Sequence, residues 1–105
     1  MIEKVAPRQP LLDTATGRYV LAEEGATAVL NFEESDGRLV IEHVVVPDEI
    51  SGRGIGGALV AAAVDRAKAE GLTIVPWCPF ARHWLRANPR EAAGMTIDWK
   101  PRPRQ

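Results

Sequence analysis

The stretch "ISGRGIGGAL", residues 50–59, decides how the rest of the chain is read. It puts four glycines, Gly52, Gly54, Gly56 and Gly57, within six positions, and an apolar run begins directly behind them. Ile55, Leu59, Val60, Ala63, Val64 and Ala67 recur at helical spacing, and Gly71 stands where a C-cap glycine belongs. The spacing predicts a helix over about 54–70. Ahead of the glycines, "VIEHVVV" reads as a strand that Pro47 ends. A strand, a glycine-rich turn and a helix start together form an anion site. The first helical amides lack internal partners, the dipole places about half a positive charge there, and glycine lets a phosphate approach the backbone. The plainer alternative, a tight turn, needs only one glycine.

Outward from this centre the pattern stays regular. "RYVLAEEGATAVLNFEESDGRLVIEHVVV" alternates β-branched or aromatic residues with polar ones, and Glu24-Gly25 and Ser35-Asp36-Gly37 punctuate it as turns. Three antiparallel strands are expected at about 18–23, 27–34 and 38–46. After the helix, "LTIVPW" is a short buried strand. Pro79 opens a second helix, "PFARHWLRAN", which Asn88-Pro89 terminates, and "GMTIDW" is a last strand. The order, a meander followed by helix, strand, helix and strand, is an α+β mixed sheet with a strand added by a helical crossover.

Composition narrows the function classes. At 105 residues the chain has room for one domain, 1–105, with about 1–16 and 100–105 expected as flexible tails. Thirteen basic residues against fourteen acidic ones give no electrostatic case for nucleic acid or a membrane surface. "MIEKVAPRQP" has no apolar h-region and no run reaches the roughly 20 residues of a membrane span, so a cytoplasmic domain is expected. A single cysteine, Cys78, excludes an internal disulfide and a cysteine metal cluster, and no metal is expected.

Two nucleotide readings of the glycines fail. Gly52, Gly54 and Gly57 match G-x-G-x-x-G, but the next strand ends in Pro76-Trp77 rather than an acidic residue, and a meander precedes the loop. A Walker A loop needs Gly-Lys-Ser/Thr, which is missing. The stretch from Glu42 to Pro89 resembles instead the short, single-domain branch of the GNAT superfamily of acetyl-CoA-dependent N-acetyltransferases. The superfamily signature is Arg/Gln-x-x-Gly-x-Gly/Ala; Gly54 and Gly56 fill its glycines, and Ser51 stands at its leading position. His43, Val46-Pro47, Val75-Pro76, Cys78 and Asn88-Pro89 match the small branch in order and spacing. Val44 departs from the polar residue usual there.

The resemblance implies a CoA cleft between two splayed strands. It implies that the amides of Ser51, Gly52, Arg53, Gly54, Ile55, Gly56 and Gly57 hold the pyrophosphate, with Ser51 weakening the grip. It further implies that backbone of Val44, Val45 and Val46 binds pantetheine, and that Asn88 and Arg53 belong to the cofactor side. Cys78 and His43 are then the chemical groups. A thiol at a helix start favours the thiolate and acts as nucleophile or as proton donor to departing CoA, and an imidazole suits the base that deprotonates the acceptor. His83 reads as surface; Phe80, Trp77 and Trp84 read as core. Partners are a small-molecule or peptide amine acceptor, with a monomer or weak dimer expected. The rival readings are a CoA or acyl-CoA binding module with little transferase activity, and an interaction domain whose glycines are structural.

Overall fold

The computed structural model describes residues 9–14 and 16–103. Residues 1–8 of the expected N-terminal tail, and 104–105 of the C-terminal one, lie outside the described residues. Five strands form one sheet in the order β1 (Leu11–Asp13), β2 (Arg18–Glu23), β3 (Ala26–Ser35), β4 (Arg38–Val45) and β5 (Thr73–Pro76). Neighbours are antiparallel except β4 and β5, which run parallel because α1 (Ile55–Glu70) carries the chain across. Two-residue turns at Glu24-Gly25 and Asp36-Gly37 join β2 to β3 and β3 to β4. All four residues have positive φ, the conformation that matches the strands' own twist. A helical turn at Asp48–Ile50 leads into α1; α2 (Pro79–Ala87) follows β5 after two residues, Trp77 and Cys78.

The core lies between one face of the sheet and the two longer helices. Tyr19, Leu30, Phe32 and Ile41 from the strands meet Leu59, Val60 and Ala63 from α1 and Ala81 and Leu85 from α2. The apolar stripe read in the sequence is the buried face of α1, and Gly71 caps it in the left-handed conformation, its amide donating to the Ala67 carbonyl.

Four features differ from the sequence reading. Leu11–Asp13 pairs with β2, inside the stretch expected as a tail; three residues are too few to show an alternation. A one-turn α3 (Pro89–Ala92) follows α2. "GMTIDW" is not a strand but a single parallel bridge between Ile97 and Ile74, with the Ile74 amide donating to Thr96 and the Asp98 amide to Ile74. The fourth is a β-bulge. Asn31 pairs with His43 but Phe32 pairs with Ile41, so Glu42 is an extra residue in β4. Strict alternation would keep His43 and Val45 on the face of Ile41. The bulge instead turns them to the helix-free face and brings Val44, opposite the fully buried Leu30, to the helix side.

Candidate active site

β4 and β5 stay paired only as far as Ile41 and Pro76. There the Ile41 carbonyl accepts from the amides of both Trp77 and Cys78, at 3.1 and 3.2 Å, and β5 ends as Pro79 starts α2. β4 runs on to Val45 paired with β3 alone, its other edge free. A cavity of about 360 Å³ opens beside this free stretch on the helix face, lined by Val44 and Val46, the loop residues Ser51, Gly52 and Gly54, the first turn of α1 and Phe80.

The far end of the cavity is electropositive for a backbone reason. Ala58 is the residue whose amide first finds a helical carbonyl, that of Gly54 at 3.0 Å, so the amides of residues 55–57 have no intrahelical acceptor. Among the described residues no side chain caps this helix start, and no acidic residue stands in its first turn. The dipole is therefore uncompensated.

Each of the four glycines has a local cause. Gly52 and Gly54 take φ of +77° and +79°, and a Cβ on either would meet no protein atom within 4 Å. Gly56 and Gly57 let α2 come close. A Cβ on Gly56 would sit 2.8 Å from the tip of the Phe80 ring, and one on Gly57 would sit 2.5 Å from Trp84 Nε1. Two glycines thus shape an open backbone turn and two seat a pair of aromatic rings against the helix start.

The family profile of the GCN5-related N-acetyl-transferases matches residues 18–94, from the start of β2 to just past α3. The chain belongs to the GCN5-related N-acetyltransferases. A GCN5-like protein from Staphylococcus aureus, solved by NMR in solution, superposes with a TM-score of 0.67 at 22% identity, over 90% of this chain and 94% of that one. At that identity the likeness speaks for the shared fold. No curated protein matches the sequence.

For a GCN5-related N-acetyltransferase, the expected cofactor residues divide sharply. Val44, Val46, Ser51, Gly52, Gly54, Ile55, Gly56 and Gly57 line one cavity. Ser51 adds little beyond its backbone, since its hydroxyl donates to the Asp48 carbonyl at 3.0 Å. Val45 points to the helix-free face and is 53% exposed. Arg53 is held elsewhere, by Glu23 and by Glu24 at 3.2 Å, at the tip of the β2–β3 hairpin. These hydrogen bonds push the guanidinium pKa further above its ordinary value, so its charge is already answered. Asn88 sits outside the cavity and donates through Nδ2 to the Trp84 carbonyl at 2.8 Å, satisfying the end of α2.

Cys78 and His43 occupy opposite faces of the sheet near the parting point. Cys78 is the N-cap residue of α2 and is buried in the main core, 7% exposed. His43 is exposed on the helix-free face opposite Asn31. The residue missed in the sequence is Phe80. Read there as core, it is 42% exposed and forms a wall of the cavity. Only its position next to Pro79, at the first turn of a helix facing the glycines, hinted at this role. Trp84 is half-buried against the core, and His83 is exposed, as read.

Proposed function

We propose that this GCN5-related protein is a small acetyl-CoA-dependent N-acetyltransferase acting on an amine of a small molecule or peptide. The supporting observation is the cavity that runs from the stretch of β4 beyond its pairing with β5 to an uncapped helix start. Its apolar flank, Val44, Val46 and Phe80, suits a pantetheine arm, and the free amides of residues 52–57 suit a pyrophosphate. The absence of a Cβ on Gly52 and Gly54, where a side chain would project into open space, lets phosphate oxygens reach those amides.

Acetyl-CoA supplies an activated acyl carbon: the amine nitrogen bonds to it, the carbon–sulfur bond breaks, and the thiolate leaves with the electron pair. The chain's task is to position the donor and to move two protons. In this reading His43 takes the first proton from the acceptor ammonium on the helix-free face. Cys78, on the helix face, gives its proton to the departing thiolate and regains the second nitrogen proton. His43 then releases its proton to solvent. The burial of Cys78 favours direct transfer over an acetyl-cysteine route.

A thermal-shift titration tests the reading, with CoA and acetyl-CoA against NAD and ATP. A ligand at about 100 times its dissociation constant stabilises a fold by about 2.7 kcal/mol. In a domain of this size that is a rise of roughly 10 °C or more. A rise with the CoA ligands alone is expected. No rise at millimolar CoA would end the transferase reading.

A further inference from the structure

The helix-free face carries a second cavity, also about 360 Å³, that the donor reading does not use. It runs along β4 from the β3–β4 turn to Trp77, the residue that follows β5 at the parting of the strands. The register explains its walls. Glu33 lies directly opposite Val40 and Ser35 opposite Arg38, so these side chains share one face. Val40, buried yet outside the main core, forms its floor side. The C-terminal segment closes the outer side, anchored by Asp98, whose Oδ2 accepts from Arg38 at 2.9 Å, and by the Ile97 bridge.

The basic segment that walls this groove in the resting chain also covers its aromatic end. Arg102 lies over the Trp77 ring at 5.2 Å, and Lys100, Pro101 and Pro103 stand along the wall. Without those tail cations the groove presents the carboxylates of Glu33, Asp36 and Asp98 against Arg38 alone. The complement of this surface is an extended, proline-tolerant cationic peptide with one cation stacked on Trp77.

We propose that the groove is the acceptor subsite of the transferase, that it takes a basic peptide presenting a lysine amine, and that Arg102, stacked on the groove's Trp77, is an internal competitor for that ring. The proposal rests on the transferase reading for the word acceptor, and on the groove alone for binding. Its position supports it: the donor cavity and this groove approach the parting of β4 and β5 from opposite faces. The exposed His43 lies on the groove's face, past the bulge that follows Ile41. An amine led along β4 past Trp77 therefore arrives at the face carrying the proposed base.

The probe is the synthetic peptide KPRPRQ, identical to residues 100–105, titrated calorimetrically into the full chain. Arg102→Ala should tighten binding about three- to fivefold, the factor a partly exposed cation–π contact supplies. Adding Glu33→Gln and Asp36→Asn, both exposed positions, should weaken it again and flatten its salt dependence. With acetyl-CoA present, mass spectrometry should find the acetyl group on the peptide, more of it with Arg102→Ala than without. Unchanged or weaker peptide affinity in Arg102→Ala would overturn the proposal. A linear polyamine of equal charge binding as tightly as the peptide would overturn the peptide assignment. The CoA thermal shift, measured on the same samples, separates the two readings. Peptide binding that follows the predicted order with no CoA shift would support the groove and sink the transferase reading; a CoA shift without peptide binding would do the reverse.

Discussion

Replacing Gly54 by alanine separates backbone strain from ligand contact. Gly54 has φ +79° and ψ +11°, and an added Cβ would meet nothing within 4 Å, so the apo protein would feel only the left-handed backbone. That strain costs about 1–2 kcal/mol for an L-residue. The stiffer unfolded chain offsets about 0.4–1 kcal/mol of it. The net is about 1 kcal/mol, or a fall in Tm of about 4–8 °C for a domain of this size. The ligand effect adds to this. The new carbon stands beside the cavity where phosphate oxygens are proposed to approach the amides, and a tenfold loss of CoA affinity corresponds to about 1.4 kcal/mol. The CoA-induced shift should therefore shrink by a further several degrees. Gly37→Ala is the control. With φ +74° and open space around it, it carries the same strain at the opposite end of β4. Differential scanning fluorimetry of both variants, with and without CoA, reads the outcome. Equal apo losses with the CoA shift reduced only in Gly54→Ala are expected. A full CoA shift in Gly54→Ala would refute the close-approach argument, and a reduced one in Gly37→Ala would refute its locality.

Three further outcomes follow from the site and its surroundings. His43→Gln should leave Tm within about 1 °C, since the side chain is exposed, and lower kcat by about 10²–10⁴-fold, the usual worth of a general base. In direct transfer, intact-mass spectrometry should find no acetyl group on the protein after incubation with acetyl-CoA, while Cys78→Ala slows turnover. An adduct that vanishes in Cys78→Ala would establish the covalent route instead. Tyr19 is the chain's single tyrosine, so ultraviolet titration reads it alone. Burial raises its pKa above 10.0 against the lowering pull of Arg66. The unfolded phenol ionises first, so its contribution to stability is intact below about pH 10 and lost as pH rises above it. Tyr19→Phe should remove that alkaline dependence.

The parts of the fold governed by local chemistry were legible. Glu-Gly and Asp-Gly pairs demand tight hairpin turns, and positive φ at Glu24, Gly25, Asp36 and Gly37 bears that out. The stripe from Ile55 to Ala67 and the cap at Gly71 define α1 in the same way. What escaped depends on pairing between distant segments. The bulge at Glu42 has no signature in "VIEHVVV", because every residue there is compatible with a strand. It nonetheless decides that His43 faces away from Cys78. The capture of Arg53 by Glu23 and Glu24 joins residues about thirty apart, across a hairpin tip that brings both carboxylates to the loop. Gly56 and Gly57 read as phosphate glycines, yet the rings of Phe80 and Trp84 fill the space where their side chains would be. The same contact puts Phe80 on the cavity wall.

The central claim is that the amides of the glycine loop hold CoA. A ¹⁵N–¹H correlation titration with CoA tests it residue by residue. The account predicts the largest shifts at Gly52, Gly54, Ile55, Gly56 and Gly57, with Val44 and Val46 following, and little movement at Gly25 or Gly71. Shifts that spare the loop, or no shifts at millimolar CoA, would contradict it.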